Sequence, residues 1–330
     1  MQPKTLSIGG VTYDLFVRLP HDAVHAEERS AALQLPLGTK LRVDSVIETC
    51  GGGAGNTAVG LARLGCDASI SAVIGSDQWG EHLLQNFHRQ GVGTQSLTFV
   101  EKETTSFSII LSSGSGERVI LYTPGPNVHL HDALFDRHAM EATDWIVLNH
   151  IQENACVIYD DLIAWLKQSG KGLTWNPGGC ALKKGMADGE IATLLGCTRL
   201  LILNREELRQ FTGLPDERSA LKHLTSLGTS FVCMTDGGKG VLATDGKHLY
   251  HCPPCPGITV KDTTGAGDAF TTGATWGLMT GRDLPTALLA GTLNSGSVVG
   301  AIGAQDGLLT DIELRERLTR TKIDVSMENF

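Results

Sequence analysis

The feature that most restricts how this chain can fold is the run Asp262-Thr263-Thr264-Gly265-Ala266-Gly267-Asp268-Ala269-Phe270. The β-branched approach Ile258-Thr259-Val260 predicts a strand, and the apolar, proline-free stretch from Ala269 to Met279 predicts a buried helix after it. Gly265 and Gly267 carry no side chain where a ligand must come close to the backbone. Successive N–H groups at a helix start form a concavity suited to a phosphate. Asp268 stands at the end of that concavity, where its charge would repel a static phosphate unless a substrate hydroxyl lay between them. The placement predicts a general base. Taking a proton from an alcohol while backbone dipoles hold a transferring phosphoryl group is what a small-molecule kinase requires. An ordinary Gly-rich turn before a core helix is the alternative.

The run resembles the signature of the ribokinase-like carbohydrate kinases, the PfkB family. That resemblance implies Asp268 as catalytic base and the backbone of Gly265, Ala266 and Gly267 as the anion hole. It extends over residues 1–330 and implies a doubly wound α/β fold, with a mainly parallel sheet, helices on both faces and a small β-sheet lid from residues 14–50 and 100–124.

The 330 residues are 41% hydrophobic, enough for a sizeable core. With 27 basic against 36 acidic residues the formal charge is −9, and no basic cluster suggests a nucleic-acid or membrane partner. An anionic nucleotide must therefore be drawn by local dipoles and magnesium rather than by the overall field. Met1 to Leu6 lacks the pattern of a signal peptide, no uncharged stretch is long enough to span a bilayer, and the eight cysteines are scattered, mostly in apolar segments. The expectation is a cytosolic protein with reduced thiols.

Leu6 to Gly10 and Val11 to Val17 predict two strands, with Asp14 near their junction. In the resembled family an early glycine followed by an aspartate places that carboxylate on the sugar hydroxyls, which implies Asp14, with Thr12 two residues before it, as acceptor ligands. Strict alternation over Lys40 to Glu48 predicts a strand with one wet face. Thr104 to Leu111 and Glu117 to Tyr122 predict a matching hairpin around Ser112 to Gly116; both belong to the lid. The piece from His21 to Gly38 is longer than usual for the family. Gly51-Gly52-Gly53-Ala54-Gly55-Asn56 opens an amphipathic helix and resembles the first family signature, implying contacts of Gly51, Gly52 and Asn56 with sugar hydroxyls. A dinucleotide-binding glycine motif is the competitor, but Asn56 holds its third glycine position. Gly53 and Ala54 stand where some relatives carry a lysine, which disfavours a phosphorylated substrate.

Strands and helices alternate after Ala68, so ligands are expected at strand C-terminal ends, where Asn149 and His150 follow Trp145 to Leu148. Asn176-Pro177 matches a pair that the family carries beneath the cleft. Asn204 and Glu207, three apart at a helix start, match an Asn-x-x-Glu motif implying magnesium held through water. Thr235, Gly237, Lys239 and Gly240 match a nucleotide-contacting segment, and Asn294 on the helix Leu284 to Val299 is expected to face adenine. Asp262, Thr264, Ala301 and Gly303 match a ring implying potassium. His248, His251, Cys252 and Cys255 have zinc-ligand types, but alternation sets His248 and His251 on opposite faces, which argues against that metal.

The reading is thus an ATP- and Mg2+-dependent kinase, activated by K+, of a hydroxymethyl group on an unphosphorylated sugar, paired as a homodimer through its lid. A nucleoside kinase of the same family and a non-catalytic sugar-binding regulator are the rivals. Phe16, Phe107 and Tyr122 leave the nucleoside open.

Overall fold

The computed structural model describes residues 2–20, 26–27, 30–31, 35, 37–112, 118–130, 136–151 and 158–330. In chain order the first part runs β1 (Lys4–Ile8), β2 (Thr12–Arg18), β3 (Ala26–Glu27), β4 (Ser30–Ala31), β5 (Ser45–Gly51), α1 (Gly53–Arg63), β6 (Asp67–Gly75), α2 (Gln78–Arg89), β7 (Gly93–Val100), β8 (Phe107–Ser112) and β9 (Arg118–Thr123). There follow α3 (His138–Glu141), β10 (Trp145–Leu148), α4 (Ile158–Ser169), β11 (Gly172–Trp175), α5 (Gly179–Lys184), α6 (Gly189–Cys197), β12 (Leu200–Asn204), α7 (Arg205–Thr212), α8 (Glu217–Ser226) and β13 (Phe231–Thr235). The chain closes with β14 (Val241–Thr244), β15 (His248–Cys252), α9 (Ala266–Met279), α10 (Leu284–Val299), α11 (Asp311–Arg320) and β16 (Ser326–Asn329).

Ten strands form one sheet in the order β16-β15-β14-β13-β12-β11-β10-β1-β6-β7. From β7 to β13 every pair is parallel, while β14, β15 and β16 add antiparallel. Strands β10, β12 and β13 are nearly solid apolar runs because both of their faces are covered. On β10, Ile146 and Leu148 pack into the core shared with α4, α6, α7 and α8, whereas Trp145 and Val147 pack with Trp276 of α9 and Leu293 of α10. Alternation along one strand thus feeds two helical layers. Helices α9 and α10 lie backbone against backbone, since a Cβ on Gly273 would fall 2.5 Å from the Ala290 carbonyl oxygen. That contact explains the small residues of Leu284 to Val299.

A separate four-stranded sheet, β5-β2-β8-β9, shares a cavity with the residues that follow β10, where its Thr12 and Tyr122 meet His150 and Ile151. Strand β2 pairs antiparallel with β5 and parallel with β8, and β8 returns antiparallel as β9. Two expectations need correction. The alternating stretch from Lys40 becomes a strand only at Ser45, because β2 ends at Arg18, the partner of Ser45, and earlier residues have no strand to pair with. Ile258-Thr259-Val260 is not a strand. The neighbouring edge of β15 is taken by β16, Lys261 N instead donates to Val299 O at 2.8 Å, and Ile258 and Val260 wall a cavity. Most of the His21 to Gly38 segment, the loop 113–117 and residues 155–157 lie outside the described residues.

Candidate active site

Asp268 occupies the first turn of α9, whose N-cap Gly265 has φ 74°, a left-handed conformation that glycine adopts without strain. A Cβ there would also lie 2.4 Å from that of Ala304, whereas at Gly267 nothing stands within 4 Å. The helix start is therefore packed on one side and open on the other. Ala266 N closes the turn onto Thr263 O at 3.3 Å; no backbone acceptor among the described residues takes up the N–H of Gly265, Gly267 or Asp268. Asn56 Nδ2 donates to Asp268 Oδ2 at 2.7 Å. Burial pushes the Asp268 carboxyl above the usual carboxylate range, and the Asn56 bond opposes it. The two effects act in opposite directions on one proton site, with burial the larger.

At the start of α1, the helix that carries Asn56, lies a cavity of about 270 Å³ lined by Gly10, Thr12, Gly52, Gly53, Tyr122, Asn127, Leu130, His150 and Ile151. Gly52 is required by crowding, since a Cβ would sit 2.5 Å from Val11 Cα. His150 opens onto the cavity, its ring so close to Gly179 that a Cβ there would lie 2.2 Å from Nε2; desolvation lowers its pKa, which keeps it neutral at neutral pH. Asn149 does not line the cleft: it is 2% exposed and its Nδ2 donates to Thr57 Oγ1 and the Ile8 carbonyl. Asp14, on lid strand β2, is buried, with Oδ2 only 2.2 Å from where a Cβ of Gly51 would be. Its carboxyl is pushed up to about 7, first by burial and then by the nearby charge of Asp262, against a lowering hydrogen bond with Ser108. Of the three lid aromatics only Tyr122 reaches this cavity; Phe107 packs against Tyr13 and Trp79, and Phe16 is buried.

At the start of α9, Ala266 and Gly267 open into an apolar cavity of about 410 Å³. Thr235, Gly237 and Gly240 form one wall, Ile258 and Val260 another, and Thr292, Ser295, Gly296 and Val299 of α10 the floor. Lys239 lies outside it, 72% exposed and 3.8 Å from Asp236, which pairs more closely with Arg205. Asn294 also requires correction. It is fully buried, with Nδ2 donating to Ala269 O at 2.8 Å and Oδ1 accepting from Leu309 N at 2.9 Å, so it ties α10 to α9 instead of facing a base. The hydroxyl-bearing Thr292 and Ser295, on the other face of the same helix, are the residues that the sequence pattern did not single out.

Asn204 and Glu207 form a reciprocal helix cap: Asn204 Oδ1 accepts from Glu207 N and Glu207 Oε2 accepts from Asn204 N, both at 2.8 Å. Burial raises the Glu207 carboxyl above its ordinary range, and the charge of Asp268 raises it further. The cap uses one oxygen of the Glu207 carboxylate and leaves its second oxygen for a water of a hydrated divalent cation.

The ring expected for potassium does not fit. Asp262 Oδ1 accepts from Thr264 N (3.0 Å), Thr264 Oγ1 (2.8 Å) and Arg118 Nη1 (3.1 Å), and Oδ2 accepts from Gly303 N (3.0 Å). A carboxylate offers about four lone-pair directions, and four donors use them. Arg118, a lid residue that sequence reasoning passed over, brings the positive charge that the ion would have brought. His248 pairs with Asp245, His251 with the Lys239 carbonyl, Cys252 with Thr292, and Cys255 lines the apolar cavity, so these four have separate surroundings.

The model of the pfkB family carbohydrate kinases matches residues 19–311. An uncharacterized sugar kinase of Archaeoglobus fulgidus is 27% identical over 258 residues, which cover 77% of this chain and 100% of that one. The aminoimidazole riboside kinase of Salmonella typhimurium is 25% identical over 286 residues, 83% of this chain and 88% of its own. Among solved structures, ribokinase of Arabidopsis thaliana complexed with ribose and ATP aligns with a TM-score of 0.81 at 21% identity, covering 96% of this chain and 99% of that one, a likeness of fold.

Proposed function

The chain belongs to the pfkB family of carbohydrate kinases, and on that premise we propose that it transfers the γ-phosphoryl group of ATP to a hydroxyl, the primary hydroxymethyl, of a small unphosphorylated sugar such as ribose, fructose or a related keto sugar. One observation carries the reading: the helix start that opens Gly267 into the apolar cavity also holds Asp268, which is bonded to Asn56 of the helix whose first residues, Gly52 and Gly53, line the other cavity. The acceptor enters the glycine-lined cavity and the nucleotide the apolar one. Among the described residues no lysine or arginine lines the acceptor cavity, which favours a substrate without phosphate.

As the acceptor oxygen bonds to the γ-phosphorus, its proton passes to the Asp268 carboxylate. The bond to the leaving ADP oxygen breaks, and ADP keeps the electron pair. The N–H groups of Gly265 and Gly267 hold the charge developing on the phosphoryl oxygens. Asp14, Thr12, Gly52 and Asn56 are assigned to orient the acceptor for in-line attack. Magnesium, when bound, adds positive charge to the polyphosphate, and Asn204 and Glu207 would hold it through water. The Asp262 donor set leaves potassium out of this account.

An ADP-release assay across ribose, fructose, 2-keto-3-deoxygluconate and nucleosides identifies the acceptor. Asp268→Asn is expected to lower kcat by about 10²- to 10⁴-fold while calorimetry still registers ATP binding; a variant as fast as the parent rules out Asp268 as the base. A riboside is the second reading, favoured by the flat rings of Tyr122 and His150 on the acceptor cavity. Strand β9 leaves Val119, Ile120, Leu121 and Tyr122 between 40% and 53% exposed on a sheet edge, which supports a homodimer closed through the lid. Light scattering of Ile120→Lys against the parent tests that pairing. No helix among the described residues is long and apolar enough to cross a membrane, and the work of an ATP-consuming kinase is assigned to the cytosol.

A further inference from the structure

Behind the acceptor cleft a row of carboxamides leads away from the base. Asn86 Nδ2, on α2, donates to Gln305 Oε1 at 2.8 Å. Gln305 Nε2, in the loop after α10, donates to Asn56 Oδ1 at 3.2 Å, and Asn56 Nδ2 donates to Asp268 Oδ2 at 2.7 Å. Asn86, Gln305 and Asn56 are 7%, 6% and 3% exposed, so water does not compete for these bonds. The middle member is tethered as well, because its backbone carbonyl accepts from Arg63 Nη1 at 2.8 Å.

A carboxamide has one donating and one accepting end, so a row of them has a direction. With the N–H ends all aimed at Asp268, each member fixes the next. Were Asn56 reversed, its oxygen would face the carboxylate oxygen at the same short distance, an arrangement that holds only if Asp268 keeps its proton. A protonated acid is no base. We propose that Gln305 and Asn86 are positioning residues for phosphoryl transfer: they set which end of Asn56 meets Asp268, and so keep the base ready, without touching substrate. The inference rests on the kinase reading of Asp268. Other groups facing this row are Glu207 across from Asp268, and Glu48, Arg63, His82, Arg89 and Asp306 around the polar cavity that Asn86 and Gln305 line.

The test is Gln305→Glu, which keeps the shape of the side chain but can only accept once ionised. Asn56 must then give its N–H to the substituted carboxylate and turn its oxygen to Asp268. The acid limb of kcat/KM against pH is expected to move up by about one to two pH units, with KM for ATP unchanged. A carbon-detected NMR titration of the Asp268 carboxyl in the ligand-free protein is expected to move with it. Asn86→Leu, which frees the row without reversing it, is expected to give a smaller shift in the same direction and covers the case in which the first variant does not fold. If the acid limb and the carboxyl titration of the folded variants coincide with those of the parent, the row does not orient the base and the proposal is overturned. An inactive parent whose Asp268 titration still responds would sink the kinase reading alone.

Discussion

Gly265 and Gly267 are two residues apart and answer to different constraints. At Gly265 the backbone is left-handed and Ala304 leaves no room, so Gly265→Ala is expected to cost about 1–3 kcal/mol of stability and to lower the melting temperature. At Gly267 nothing stands within 4 Å, which leaves room for the phosphate of the proposed reaction. Gly267→Ala is expected to leave the melting temperature close to that of the parent while KM for ATP rises at least about tenfold, since a methyl group would stand where a phosphate approaches. Equal melting temperatures for the two variants would contradict this division. Asp14 carries a different cost. A carboxyl held at about 7 in the folded protein, against an ordinary value near 4, favours folding fully below pH 4 and loses that contribution as pH rises from 4 to 7. Asp14→Asn is therefore expected to be more stable than the parent at pH 8, by up to about 2–4 kcal/mol, with the difference shrinking toward pH 4 and acceptor KM raised at both. Thermal melts of both proteins at pH 4.5 and 8 check it; a difference independent of pH would show that Asp14 is not strained by its charge.

At the scale of elements, whatever depended on neighbours in sequence was legible. The spacing of Gly265, Gly267 and Asp268 states a helix start, and the apolar runs of β10 and β12 state buried parallel strands. What failed was decided by distant partners. Ile258-Thr259-Val260 has the composition of a strand, yet a strand needs an open edge, and β16, some seventy residues later, has filled it. Asn294 sits on a helix of small apolar residues, where a polar side chain can serve a ligand or the backbone. Leu309 N, fifteen residues on, decides for the backbone. Asn294→Leu is accordingly expected to cost about 1–3 kcal/mol in urea denaturation, because the buried Leu309 N loses its acceptor and Ala269 O, inside α9, loses a second donor, and to leave KM for ATP unchanged. Weakened nucleotide binding at full stability would restore the adenine assignment.

Across the whole molecule, the ion pair from Arg118 to Asp262 links the lid to the loop before the anion hole over 144 residues of sequence, and no local pattern reports it. With the lid in this position, Arg118 neutralises that loop. Parent protein is expected to melt at the same temperature in potassium as in choline chloride at equal ionic strength. Arg118→Ala, with the carboxylate uncovered, is expected to gain ~2 °C from potassium. A parent that gains as much as the variant would return the ion to its ring.

Helix α1 lies directly on α9, where a Cβ on Gly60 would fall 2.6 Å from Thr272 Cγ2. The orienting amide of Asn56 and the acid of Asp268 therefore ride on a common block seated on the large sheet, and the four strands of the canopy meet that block through β5 and the Arg118–Asp262 pair. Exchanging those strands for another member's while keeping Arg118 is expected to change what is admitted and to spare the pairing of Asn56 with Asp268, so new acceptors can be explored by grafting from above.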